Sequence, residues 1–161
     1  MDVKIKLKPY LKEYVECRYL PTFADPKNFL RVVVKPFLER IPKNYQYKPC
    51  SDSNAITLSV PLLSDTYIGD GKVYISDKNQ AHIERIVYAH FKDALVAYVD
   101  DKVRYEVEIK KCLLQFCSDC QITFNDTNYE TLKKMYYRSK KSDKNISFSV
   151  PKLSRALTFI F

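Results

Sequence analysis

The stretch of sequence with the clearest chemical character is a basic run near the C-terminal end. Residues 131–142 are TLKKMYYRSKKS, with five positive charges, no negative charge and two tyrosines. Lysine and arginine bind phosphate oxygens, and tyrosine adds a hydrogen-bond donor and a ring on which a base can stack. A solvent-exposed helix face often has the same composition, so the surrounding sequence has to distinguish the two interpretations.

The basic run has the periodicity of an amphipathic helix. At about 100° per residue, one side carries the mostly apolar set Tyr129, Leu132, Met135, Tyr136 and Ser139. The opposite side carries the polar set Lys133, Lys134, Tyr137, Arg138 and Lys141. Thr127 and Glu130 form a capping-box pattern that predicts the start of this helix. Because a helix N-terminus presents free N–H groups, Thr127 and Asn128 are predicted to reach base edges or phosphates.

Three cysteines are the other residues whose spacing could do chemistry. Cys112, Cys117 and Cys120 give the pattern C-x4-C-x2-C. A structural zinc site needs four ligands, so His82 or His90 would have to complete it. The sequence has no second C-x-x-C, and its odd total of five cysteines does not suggest a disulfide framework. Free thiols are therefore expected, with no metal and no cofactor.

The sequence gives little basis for an enzyme. It has neither a G-x-S-x-G nucleophile elbow nor an H-E-x-x-H zinc motif. Gly69 and Gly71 are the only glycines, which excludes a Gly-rich phosphate loop. His90 falls in the apolar stripe of a predicted helix, where a core histidine is favoured over a general base. We expect neither catalysis nor a small-molecule substrate.

The chain as a whole is basic. It has 27 Lys and Arg against 19 Asp and Glu in 161 residues, a net charge of +8. This balance favours an acidic partner, which would be nucleic acid, an anionic membrane surface or an acidic protein. No apolar run approaches the roughly 20 residues of a membrane span, and the N-terminus has no signal-peptide core. A cytoplasmic location is expected.

Hydrophobic periodicity predicts the elements of the N-terminal half. Residues 3–8 alternate between apolar residues and lysines, which predicts a half-buried strand whose lysines face outward. Outward lysines are more typical of a charged strand edge than of a second DNA contact. Residues 9–20 are predicted to be helical, with Leu11, Tyr14 and Val15 facing inward. A second helix is predicted to begin at Pro26, with Asp25 as its cap, and to kink or end at Pro36. A strand at 55–63 and a glycine turn between two short strands at 67–75 follow.

The C-terminal half has the strongest helical signals. A helix is predicted from Asp77 to about Asp100, with a capping box formed by Asp77 and Gln80. A second helix is predicted from roughly Lys102 to Cys117, followed by a short break and the basic helix. Residues 144–150 and 155–161 are β-rich and predict a hairpin. One of these two strands could pair with residues 3–8 instead.

Two helices, a short connector and a basic third helix form the layout of a helix-turn-helix unit. Residues 103–141, above all ITFND and TLKKMYYR, resemble small uncharacterised helix-turn-helix proteins of Bacteroidetes genomes, phages and mobile elements. The fold class expected is α+β, a helical core with a C-terminal helix-turn-helix and a β-hairpin wing. Residues 1–75 are predicted to form an N-terminal α/β portion and residues 76–161 a winged helix-turn-helix-like domain, unless both form one compact domain.

The sequence therefore predicts a protein that binds double-stranded DNA with its basic third helix in the major groove. It would be a transcription regulator or a replication accessory of a phage or mobile element, located in the host cytoplasm if it is phage-encoded. A homodimer is compatible with the sequence. The predicted DNA contacts are Thr127, Asn128, Lys133, Lys134, Tyr137, Arg138 and Lys141. The alternative is a protein-binding or structural component, for example of a phage particle, whose basic face docks an acidic partner.

Metal analysis tests the assignment of free thiols. Protein purified without added zinc should contain well under one zinc per chain, and a chelator should leave the melting temperature unchanged. The reason is that a structural zinc would supply folding free energy directly. Elemental analysis and thermal melts with and without EDTA measure both quantities. A stoichiometric zinc that is lost together with the fold would show that the assignment is wrong.

Overall fold

A computed structural model describes residues 2–41, 53–59 and 73–147 of the chain. These ranges contain α-helices and short strands, so the α+β class is confirmed for them. In chain order the elements are β1 (Asp2–Lys6), α1 (Pro9–Arg18), α2 (Phe29–Val34), β2 (Glu39–Arg40), β3 (Ala55–Ser59), β4 (Val73–Tyr74), α3 (Asp77–Val103), α4 (Ile109–Asp119) and α5 (Asp126–Ser147).

The first strand forms because apolar and basic residues alternate along it. Val3, Ile5 and the following Leu7 are buried, while the lysines between them face solvent. Strand β1 pairs with β3 in antiparallel register, with Val3 opposite Leu58 and Ile5 opposite Ile56. The predicted N-terminal strand is therefore confirmed, as is the strand predicted at 55–63 up to residue 59. The C-terminal run predicted at 155–161 lies outside the described residues.

Helix α1 has the predicted inward face, but α2 begins later than predicted. Tyr10, Leu11, Tyr14 and Val15 are the buried residues of α1. Helix α2 starts at Phe29, where the Asn28 side chain accepts a hydrogen bond from the Arg31 N–H. The predicted start at Pro26 is wrong because Asp25 instead forms a turn, in which its carboxylate accepts from the Lys27 N–H at 2.8 Å.

The end of α2 follows the prediction, and a second small sheet comes after it. Helix α2 stops at Val34 and a 3-10 turn over Lys35–Phe37 contains Pro36. After the 3-10 turn the chain enters β2, which pairs antiparallel with β4. Glu39 in β2 accepts hydrogen bonds from Ser76 at 2.6 Å and Asn79 at 2.5 Å, which joins this sheet to the start of α3. The predicted glycine turn lies outside the described residues.

Helix α3 is the central element, and its burial pattern explains why. Its 27 residues bury Ile83, Val87, Phe91, Leu95 and Val99, a stripe with one apolar residue every four positions. Helices α1, α2, α4 and α5 and strand β1 all contact α3. The centroid of the Phe91 ring lies 4.9 Å from the ring centroid of Tyr14 in α1 and 5.7 Å from that of Phe116 in α4. The helix therefore joins the N-terminal and C-terminal parts of the chain in one hydrophobic core.

The capping box predicted at the start of α3 is wrong. Ser76 is the N-cap, and its side chain makes no capping hydrogen bond. The Gln80 side chain instead bonds to the backbone of Lys6 in β1, accepting from its N–H at 3.0 Å and donating to its carbonyl at 2.6 Å. Gln80 thus satisfies the edge of the first sheet rather than the end of its own helix.

Two boundaries in the C-terminal half differ from the prediction. Helix α4 begins at Ile109 rather than Lys102, because α3 continues to Val103 and the chain then turns through Glu106, whose φ is +62°. Helix α5 runs to Ser147, so residues 144–147 are helical and the strand predicted from 144 is wrong over these residues. No glycine or proline interrupts α5 before Pro151. Residues 148–161 lie outside the described part of the chain.

Truncation of Leu132 tests the packing of α5. Leu132 is fully buried, so Leu132→Ala should lower the free energy of unfolding by about 2–5 kcal/mol through lost burial and a residual cavity. Chemical denaturation followed by circular dichroism measures this loss. Leu114→Ala is the matched control, because Leu114 is 38 % exposed. Equal stability of Leu132→Ala and wild type would mean that the helical phase of α5 is wrong.

Candidate nucleic-acid interface

The connector between α4 and α5 is held in place by backbone and side-chain bonds. The Ile122 N–H donates to the Cys117 carbonyl at 2.8 Å, and Gln121 has a φ of +54°, which is the arrangement of a Schellman motif. Glu13 of α1 accepts from the Thr123 N–H at 2.9 Å and from its hydroxyl at 2.6 Å. The connector is thereby attached to α1, and it sets the direction in which α5 leaves.

The start of α5 is capped by a residue that the sequence did not predict. The Asn125 side chain accepts from the Asn128 N–H at 2.7 Å, so Asn125 takes the capping role expected of Thr127. Thr127 is exposed in the first turn. The position of Asn128 differs from the expected surface contact, because its side chain is buried and donates to the Thr123 carbonyl at 2.7 Å. Asn128 therefore stabilises the connector.

The two faces of α5 are as the sequence predicted. Leu132, Met135 and Tyr136 are buried against the core, and Tyr129 packs partly against it. On the opposite face, Lys134, Tyr137, Arg138 and Lys141 are exposed and Lys133 is partly exposed. With Glu130 these five residues line a shallow depression of about 270 Å³. The structure thus brings together five of the predicted contact residues on one surface, which we call the α5 face.

The cations of α5 differ in whether an acidic group neutralises them. Lys133 Nζ lies 3.6 Å from a Glu130 carboxylate oxygen, and Lys140 pairs with Asp100. Within residues 2–41, 53–59 and 73–147, Lys134, Arg138 and Lys141 make no ion pair. Uncompensated charges of one sign on one surface create a positive potential there. The α5 face is therefore suited to attract an anion.

Asp100 of α3 holds the C-terminal half of α5. Its carboxylate accepts a hydrogen bond from the Tyr136 hydroxyl at 3.0 Å and pairs with Lys140. Burial, together with this hydrogen bond, raises the pKa of Tyr136 to about 12, so the phenol remains a donor at neutral pH. This pair of contacts fixes the rotation of α5 and keeps Lys134, Arg138 and Lys141 turned outward.

A second depression adjoins the α5 face and contains Lys8, a lysine for which the sequence favoured a charged strand edge over a second DNA contact. It measures about 260 Å³ and shares Lys134 and Arg138 with the α5 face. Lys8, at the junction of β1 and α1, also lines it, together with Tyr10, Tyr88, Thr131 and Met135. No local pattern placed Lys8 beside the basic helix. Lys8 and Lys134 are far apart in sequence, and only packing on α3 brings them to one depression.

Three of the cysteines and His90 have packing roles in the described structure. Cys112, Cys117 and Cys120 are buried free thiols, and burial raises the pKa of Cys117 to about 11. His90 stacks on Phe29 with 4.0 Å between ring centroids. In the part of the chain that the structure describes, no three His, Cys, Asp or Glu side chains are grouped as metal ligands. Likewise, none of the helices in these ranges has both the length and the apolar character of a membrane span.

Removing the charge of Asp100 tests its role in holding α5. Asp100→Asn should lower the free energy of unfolding by about 1–2 kcal/mol, because a charge-assisted hydrogen bond and an ion pair are weakened together. Urea denaturation measures the change. The adjacent Asp101 is exposed, so Asp101→Asn is the matched control. If both variants are as stable as wild type, Asp100 does not hold the helix.

Comparisons with known proteins find no family model, no curated protein and no solved structure that matches the chain. The function of the α5 face is therefore argued from its own geometry and charge. The helix-turn-helix identity and the wing remain predictions.

Proposed function

We propose that the protein binds double-stranded DNA through the α5 face. The observation that carries the proposal is the grouping of Lys134, Arg138 and Lys141, without acidic partners among the described residues, on one exposed helix face. Long flexible cations of this kind neutralise phosphates, and the 50 % exposed Tyr137 beside them adds a hydrogen-bond donor and an aromatic ring.

The dimensions of α5 are compatible with a groove of B-form DNA. An α-helix with its side chains is roughly 10–12 Å in diameter. The major groove is roughly 12 Å wide and admits an α-helix. The exposed N-terminal turn, including Thr127, would supply a further contact, whereas Asn128 would support the connector behind it.

The biological setting of this binding is also a proposal. The order of α3, α4, connector and basic α5 supports a helix-turn-helix mode, and the resemblance of ITFND and TLKKMYYR supports a regulator or replication accessory of a phage or mobile element. The alternative is that the same face binds an acidic protein. The two are distinguished by direct binding to DNA.

A salt series tests whether phosphates are bound. If about five phosphates are neutralised, the slope of log affinity against log salt should be near −4 to −5. Fluorescence anisotropy with a random duplex, from low to moderate salt, measures this slope. Absence of binding at low salt would reject DNA as the partner and leave the acidic protein.

A charge-matched pair of variants tests which surface binds. Replacing Lys134, Arg138 and Lys141 with Ala should lower affinity tenfold or more at moderate salt. The melting temperature should hardly change, because exposed substitutions cost within about 0.5 kcal/mol each. The control replaces the exposed Lys27, Lys78 and Lys110, which removes the same net charge outside both depressions. An equal loss in both variants would show that total charge, and not the α5 face, determines binding.

A further inference from the structure

The second depression gathers charges that repel one another. Lys8, Lys134 and Arg138 line it, and its lining contains no carboxylate. Lys8 comes from the N-terminal half and the other two residues come from α5. Three positively charged residues from two parts of the fold therefore line one depression of about 260 Å³. Positive charges around a concave surface focus the potential inside it, and an anion bound there would relieve their repulsion.

Lys8 makes an aromatic contact and no ion pair with the described residues, and it also lines a neighbouring depression with Glu84 and Arg85. Its ammonium lies 5.7 Å from the centroid of the Tyr88 ring of α3, over the face of the ring. Lys8 is also the N-cap residue of α1, but its side chain makes no capping hydrogen bond. The side chain is therefore not needed for the start of α1, and the aromatic contact keeps it beside the depression.

Two tyrosines contribute to the lining, and a phenol can donate a hydrogen bond to an oxygen-rich anion. Tyr10 and Tyr88 both line the depression. Burial raises the pKa of Tyr10 to about 12, so its phenol keeps its proton at neutral pH. A phosphate oxygen accepts hydrogen bonds from lysine, arginine and phenol groups, and a phosphodiester offers two such oxygens that carry charge.

We infer that this depression holds a backbone phosphate of bound DNA, so that Lys8 extends the interface from the α5 face to the junction of β1 and α1. This inference rests on the proposed function, because it places a phosphate of the same duplex. It gives the N-terminal half of the chain a part in binding. The second depression and the α5 face share Lys134 and Arg138. The two surfaces are therefore continuous, and one DNA strand contacts both.

Two variants of Lys8 test the inference in the full-length chain. Lys8→Ala should weaken binding to a random duplex and reduce the magnitude of the salt slope by about 1, the value for one phosphate contact. Lys8→Arg keeps the charge and should keep the slope. Lys27→Ala is the control, because Lys27 is an exposed lysine outside the depression and should leave affinity and slope unchanged. Circular dichroism checks that all three variants fold.

The outcomes separate the inference from the proposed function. If wild type and Lys8→Ala have the same slope while the α5 triple variant loses binding, the α5 face binds DNA and the inference is wrong. If Lys27→Ala lowers the slope as much as Lys8→Ala does, the effect is one of net charge and the inference is also wrong. If wild type does not bind duplex DNA at low salt, both the proposed function and the inference are overturned.

Inorganic phosphate distinguishes a DNA phosphate from a free one. Compared with chloride at equal ionic strength, phosphate should compete with DNA to the same extent in wild type and in Lys8→Ala. The reason is that a backbone phosphate is held by the whole duplex and not by the depression alone. Displacement of DNA by phosphate in wild type but not in Lys8→Ala would identify a free-phosphate site and overturn the assignment to the DNA backbone.

Discussion

The burial of one apolar stripe on α3 is the interaction on which the rest of the structure depends. Phe91 lies in the middle of this stripe, and its ring is in contact with aromatic rings of α1 and α4. Because β1 and four other helices pack on α3, it determines where the N-terminal strand lies relative to the basic helix. The placement of Lys8 and Lys134 at one depression is thus a consequence of hydrophobic packing, and neither residue is part of the buried core.

The features that local periodicity determines could be predicted from the sequence. The strand β1, the inward face of α1, the course of α3 and both faces of α5 all follow from apolar residues repeating every two or every three to four positions. Leu132 and Met135 are buried while Lys134 and Arg138 are exposed, as the phase of α5 required. The exposed part of the candidate site could therefore be listed from the sequence before any tertiary contact was known.

The features that depend on distant contacts could not be predicted. Gln80 and Thr127 have the right spacing for capping boxes, but Gln80 bonds to β1 and Asn125 caps α5 instead. Asn128 was predicted to be a contact at the helix start, but its side chain is buried against the connector. Lys8 has the local pattern of a strand edge, and only the packing of α1 beside α3 and α5 brings it to the site. Each case is decided by a partner far away in the sequence or by competition between neighbouring polar groups.

The burial of three thiols has a practical consequence for work with this protein. Alkylating and oxidising reagents attack the thiolate, and burial raises the pKa of Cys112, Cys117 and Cys120 and shields their sulfur atoms from solvent. Of the cysteines that the structure describes, Cys17 on α1 is the one that is partly exposed. A maleimide dye would label it in preference to those three under mild conditions. A fluorophore at this position would leave the lysines and the single arginine of α5 unmodified.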